Sequence, residues 1–240
     1  MTPSVFDKFL HISKLKALKN NYLVIFAIAM LSCVLTQTNA QVSFGLTAGG
    51  NLQNITGTDA KGDKLSNKLA PRFALGVNLG FMIAPEYSIQ PGITFATKGA
   101  NSADGNTKTN LSYIEVPINF IYKPVFMGGN LLLGFGPYVA YGVGGKVKTT
   151  IGGVTVDRKV SYKKTITVEN LLSPTNVYYA PLDAGVNFLA GYELSNGISF
   201  QINAQLGLVK TNPTVTGATS DKTSLKNTGF GVSLGYKLKR

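Results

Sequence analysis

The segment Leu111–Pro124, L-S-Y-I-E-V-P-I-N-F-I-Y-K-P, constrains this chain most. Every second residue falls into one of two sets. Ser112, Ile114, Val116, Ile118, Phe120 and Tyr122 form a face that is apolar after its first member. Tyr113, Glu115, Pro117, Asn119, Ile121 and Lys123 form the other, with two charges, an amide and a phenol. A period of two is the signature of a strand, whose successive side chains point to opposite sides. The segment is long for a soluble strand. It suits a tilted strand crossing a bilayer, which takes about 9–11 residues, with one face in lipid and the other in a polar lumen. A half-buried strand of a soluble sandwich carries the same alternation, so recurrence along the chain has to decide.

The pattern recurs seven more times. Val42–Gln53 sets Val42, Phe44, Leu46 and Ala48 against Ser43, Gly45, Thr47 and Gly49. Pro71–Ile83, Tyr87–Lys98, Asn130–Gly144, Pro181–Leu194, Ile198–Val209 and Asn227–Leu238 repeat it, although Pro91 lies inside the third strand and cannot donate to a ladder. Eight strands are therefore expected. Polar loops are expected at Asn54–Leu69, Gly99–Asn110, Gly145–Ala180 and Lys210–Lys226; tight turns are expected at Ala84-Pro85-Glu86, Val125–Gly129 and Ser195-Asn196-Gly197. Within the long third loop, Lys146–Tyr162 alternates weakly around Gly152-Gly153 and reads as a projecting hairpin. Alternation of long and short connections is the habit of outer-membrane barrels. The predicted fold is all-β, an eight-stranded antiparallel up-and-down transmembrane barrel.

The strand charges agree with this. Arg72, Lys98, Glu115, Lys123, Asp183, Glu193 and Lys237 all fall on the inward face. On the lipid face near midplane an Arg or Lys costs about 2–4 kcal/mol. Arg72, Lys98, Glu115 and Asp183 form one layer near the outer rim; Lys123, Glu193 and Lys237 form a second near the periplasmic rim. Each layer mixes signs in a narrow lumen, so structural ion pairing is expected, because eight strands leave room for little beyond side chains. Outward Phe81, Tyr87, Tyr122, Tyr192 and Tyr236 sit beside the short turns, where an interfacial girdle belongs.

Residues 1–40 read as a secretory signal peptide: Lys8, Lys14, Lys16 and Lys19, then the apolar Tyr22–Leu35, then Thr38-Asn39-Ala40. A helix there with cleavage after Ala40 is expected, leaving 41–240 as the barrel domain. Lipidation at Cys33, after Leu31-Ser32, is the competing reading. The chain holds 23 Lys+Arg and 11 Asp+Glu; the first forty residues hold four lysines and one aspartate, so the remainder carries about +9 by this count. Its only Cys and only His, Cys33 and His11, precede Ala40. Without either, the barrel lacks the usual thiolate, metal ligand and neutral-pH base. No nucleophile–base pair stands out, so no enzyme activity, cofactor or metal is expected. Secretion and lysines dispersed over loops argue against nucleic acid.

F-G-L-T-A-G-G-N at Phe44–Asn51, Y-I-E-V-P at Tyr113–Pro117, Leu182-Asp183-Ala184-Gly185 with A-G-Y-E at Ala190–Glu193, and F-G-V-S-L-G-Y-K at Phe230–Lys237 together resemble the PorT-like "porin family" outer-membrane β-barrel domain of Bacteroidota. The resemblance spans nearly all of 41–240 and implies a small outer-membrane barrel. The functional expectation is a monomeric barrel with a largely filled lumen, structural or acting in surface interaction. The alternatives are a narrow porin-like channel for small solutes and an accessory of a protein-secretion apparatus. Expected partners are outer-membrane lipid and lipopolysaccharide, and a surface or secretion-system protein. The candidate contact region is the long loop with Lys146, Lys148, Arg158, Lys159, Lys163 and Lys164.

Overall fold

The computed structural model describes residues 42–217 and 221–238. The expected signal-peptide helix, the cleavage site and Cys33 lie outside these residues. In chain order the elements are β1 (Val42–Thr58), β2 (Ala70–Ala84), β3 (Tyr87–Asn101), β4 (Thr107–Tyr122), β5 (Val125–Phe126), β6 (Gly129–Ile151) and β7 (Val154–Tyr162). Then come β8 (Thr165–Thr167), a short helix α1 (Val168–Leu171), β9 (Asn176–Tyr179), β10 (Leu182–Glu193), β11 (Ile198–Gly207), β12 (Thr214–Thr216) and β13 (Ser224–Leu238).

Eight of the strands close a ring, in the order β1, β2, β3, β4, β6, β10, β11, β13 and back to β1, every pair antiparallel. The eight sequence-predicted strands are these eight. Closure matters because hydrocarbon offers no water to an unpaired strand edge. The turn at Asn196-Gly197 is made as the sequence reads: Gly197 adopts φ +90° and its N–H donates to Leu194, while Leu194 N–H donates to Ile198. Pro91 does sit inside β3, and the β2–β3 ladder breaks there, passing from Ile89 to Gly92.

At membrane level the wall is apolar outside. Leu75, Ile93, Val116, Ile118, Phe135 and Ile202 are exposed, and Asn78, Thr94, Glu115, Asn119 and Gln205 face in.

All four expected long loops are partly strand, β12 and the start of β13 at Ser224 falling inside the expected Lys210–Lys226 loop. β1 continues to Thr58 instead of ending at Gln53; β3 and β4 run on until only Ser102–Asn106 joins them, in place of a loop over Gly99–Asn110. Strand β6 reaches 23 residues, about twice a membrane crossing, and pairs with β7 in a hairpin turning at Gly152-Gly153. The reason is a reversal of polarity along each strand. Beyond the lipid band, Ile55, Leu111, Val147 and Val160 turn inward and are buried, while Lys108, Asn110, Lys146 and Lys148 point out. Outside meets water there and inside meets a packed core, so the apolar-out pattern that marks a membrane strand ends before the strand does.

One register prediction follows. Ile118 is half exposed on the outer face, and Asn119 beside it lines the lumen. Ile118→Arg should lower unfolding stability in lipid vesicles by about 2–4 kcal/mol. Asn119→Ala should cost clearly less. Denaturant titration of the two variants checks this, and equal losses would contradict the register.

Candidate functional site: a charge knot across the lumen

The lumen is crossed by one buried cluster. Glu115 on β4 and Asp183 on β10 both lie opposite Ala140 of β6, so their carboxylates enter at one level with a small residue between them. Lys98 on β3 starts farther toward the outer rim, opposite Leu111, and its long side chain reaches back to both. Its Nζ lies 2.9 Å from Glu115 Oε2 and 3.0 Å from Asp183 Oδ2. It also sits over the Tyr138 ring, 4.2 Å from the centroid, and 5.5 Å from that of Tyr113. Cation–π contacts of this kind gain from desolvation, and Lys98 is only 1% exposed.

The remaining lone pairs are also used. Asp183 accepts from Tyr138 Oη at 3.2 Å and from Asn227 Nδ2 at 3.0 Å. Both Glu115 oxygens accept from Gln205 Nε2 at 3.0 Å. Buried charges persist only when partners replace their water, and here they do. Arg72 adopts a different role. Its guanidinium donates to the backbone carbonyls of Pro71, Lys98 and Thr109, tying β2 to β3 and β4; it makes no ion pair among the described residues.

Above this knot the outer half of the lumen is filled. Ile55, Leu111, Tyr113, Val147, Val160 and Tyr179 pack together, with Tyr162 against them. Tyr162 folds in because Gly142 leaves space: a Cβ there would collide with the tyrosine ring. The Tyr162 hydroxyl then donates to the Gly144 carbonyl at 3.1 Å. Below the knot the lumen is roomier. A cavity of about 160 Å3 runs between Thr47, Asn78, Gln90, Asn119 and Gln205. It shares Thr47, Asn78, Gln90 and Gln201 with a wider space of about 560 Å3 at the short-turn end. There Lys123 pairs with Glu193 at 2.5 Å. Lys237 lies beside Lys123 and makes no ion pair among the described residues. The lumen is thus closed toward the long connections and open toward the short turns.

The five aromatics expected to form a girdle lie on the outer surface beside the short turns. Tyr87 and Tyr122 stack with centroids 4.9 Å apart, and Tyr192 Oη donates to the carbonyls of Phe126 and Met127. Phe81 pairs across strands with Val42 and Ile89, and Tyr236 with Leu46 and Ile198. The six basic residues expected on one loop do not share one surface. Lys146, Lys148, Arg158 and Lys159 stand on the β6–β7 hairpin, and Arg158 faces inward opposite Val147. Lys163 folds over Tyr178, and the Lys164 carbonyl accepts from Thr214 N–H. Tyr113, Tyr138, Gln205 and Asn227 belong to the knot although the sequence did not single them out. Inward alternation marks all four, but only strand register sets them at the level of Lys98.

A closed ring of eight antiparallel strands, apolar at its waist outside and polar within, with a raised outer wall, is an outer-membrane β-barrel. The sequence profile of the outer membrane protein beta-barrel domain matches residues 26–237, and the chain belongs to that family. It is an outer-membrane protein. In fold it is similar to Neisserial surface protein A, at 12% identity and TM-score 0.41 over 82% of this chain and 99% of that one. It is also similar to Ail, the attachment invasion locus protein of Yersinia pestis, at 11% and 0.37 over 82% and 98%. A major outer membrane protein from Thermus thermophilus stands at 11% and 0.41 over 82% and 100%. No curated protein sequence matches significantly.

The knot predicts an order of effects. Lys98→Met strips the cation from two buried carboxylates, so it should destabilise by more than a single broken buried pair, which costs about 3–5 kcal/mol. Glu115→Gln leaves Lys98 with Asp183 and should cost less than Lys98→Met. Equilibrium unfolding in detergent or vesicles measures both, and a Lys98→Met variant as stable as wild type would remove the knot from the account.

Proposed function

We propose that this protein is a filled outer-membrane barrel that acts at the cell surface as a structural or interaction protein through its raised outer wall. The observation that carries this reading is the blocked outer lumen. Lys98, Asp183 and Tyr138 are each at most 1% exposed, and a packed apolar layer lies beyond them. A solute would have to displace the Lys98 ion pairs and that layer together. The three charges of the knot are engaged with one another and with Tyr138, Gln205 and the Asn227 amide, as structural side chains are. The inward charges are read as structural pairs, and the outward aromatics by the short turns as the girdle at the periplasmic interface. Adhesive or structural work asks for a rigid wall, and the 23-residue β6 with its hairpin partner supplies one.

Within its family we read the chain as PorT-like, on the motifs Phe44–Asn51, Tyr113–Pro117 and Phe230–Lys237. On this reading residues 1–40 are a signal peptide removed after Ala40, and the mature barrel is a monomer without enzymatic activity. A narrow solute channel is the second reading. The cavities of about 160 and 560 Å3 favour it, since they carry polar space from the short-turn end up to Glu115 and Gln205.

Conductance separates the two. Purified barrel in planar bilayers should show no large steady current, because aqueous channels appear at about 16 strands. A stable pore abolished by Lys98→Met would make the channel reading the better one. A tag placed at Gly153 should be accessible on intact cells, and its protection from externally added antibody would overturn the orientation.

A further inference from the structure

The outward face of β4, β6 and β7 above the lipid band carries an unusual charge arrangement. Lys108 stands directly opposite Lys148, and Lys146 directly opposite Lys159. Like charges facing each other across strands are destabilising. A single carboxylate relieves them. Asp157 Oδ2 lies 3.2 Å from Lys146 Nζ and 3.8 Å from Lys148 Nζ, and both lysine side chains remain more than half exposed. Lys163 adds a fifth cation at the edge, over Tyr178. The nearest carboxylate in the β3–β4 turn, Asp104, is engaged by Ser102 and the Asn106 N–H and side chain.

Position gives this patch its meaning. The same face of β6, a few residues toward the membrane, holds Val139, Tyr141 and Val143, each more than half exposed. These belong to the lipid-facing band, and only Gly144 and Gly145 separate Val143 from Lys146. Lys146 therefore stands roughly 10 Å along the strand from the last apolar residue, at the level of headgroups. The lysines alternate along their strands with inward-facing Thr109, Val147 and Arg158, so they point outward from the wall, on the side of the surrounding leaflet. Their spacing of about 5 Å across strands and 7 Å along them lets one phosphate touch two or three ammonium groups.

We propose that Lys108, Lys146, Lys148 and Lys159 form a lateral site for the phosphate groups of a phosphorylated glycolipid of the outer leaflet. The proposal deepens the surface reading above and rests on the membrane placement, not on the closed lumen. An anion bridging Lys108 to Lys148 would relieve the cross-strand repulsion that Asp157 leaves uncompensated.

The test uses the full mature chain reconstituted in phosphatidylcholine vesicles containing bisphosphorylated lipid A or its dephosphorylated form. Lipid A retained after detergent extraction and chromatography is measured, together with the temperature at which the folded gel band is lost. Phosphorylated lipid A should be retained and should raise that temperature; the dephosphorylated form should do neither. Lys108→Gln with Lys148→Gln should weaken retention roughly thirtyfold, from the usual contribution of a membrane-facing lysine. In phosphatidylcholine alone the same variant should be at least as stable as wild type, because the repulsion is gone. Asp157→Asn, which removes the competing carboxylate, should strengthen retention. Unchanged retention in the lysine variant would overturn the proposal. So would equal retention of both lipid forms, or equal binding of a soluble phosphorylated polysaccharide without vesicles. Bilayer conductance, unaffected by these variants, tests the filled-lumen reading separately.

Discussion

The constraint on which this structure depends is that a backbone in hydrocarbon must satisfy its own hydrogen bonds. A sheet meets it only by closing, and here β13 returns to β1 while β6 and β10 join across the whole β7–β9 excursion. Everything else follows from the ring. Eight strands enclose a lumen that side chains can largely fill. Charged side chains that cannot face lipid are forced into that space, where they must find partners.

Lys98 resolves the problem at the centre. One flexible cation serves two carboxylates entering from two other strands, and two tyrosine rings cover it. The desolvation cost is met by several partners at once, which a simple pair would not supply. The knot also divides the lumen. Toward the outer rim the interior becomes a packed apolar core, much as in a soluble barrel; toward the short turns it stays polar and spacious. That division makes an interaction wall a better reading of the molecule than a conduit.

The wall itself changes chemistry with height. At the waist the outer face is apolar and featureless, as lipid requires. Above it the same strands continue with the polarity exchanged, and their outer face becomes a ladder of lysines. The continuity of β6 from Leu131 to Lys148 fixes where the cations stand relative to the leaflet. A loop of the same composition would not.

The sequence by itself determined the eight strands and their alternating faces, because lipid on one side and a polar lumen on the other impose a period of two. It could not determine how far the strands run. Past the membrane both faces of Thr56–Thr58 or Thr107–Asn110 look polar, so the wall reads as loop. Nor could it choose partners within the lumen. Lys98, Glu115 and Asp183 are separated by long stretches of chain, and only ring closure and register bring Glu115 and Asp183 to the level of Ala140. The same register turned Arg72 to backbone carbonyls, sent Arg158 inward and set Lys108 against Lys148. Alternation is a local property that any sequence displays residue by residue, whereas register is a relation between strands that exists only once the ring has closed.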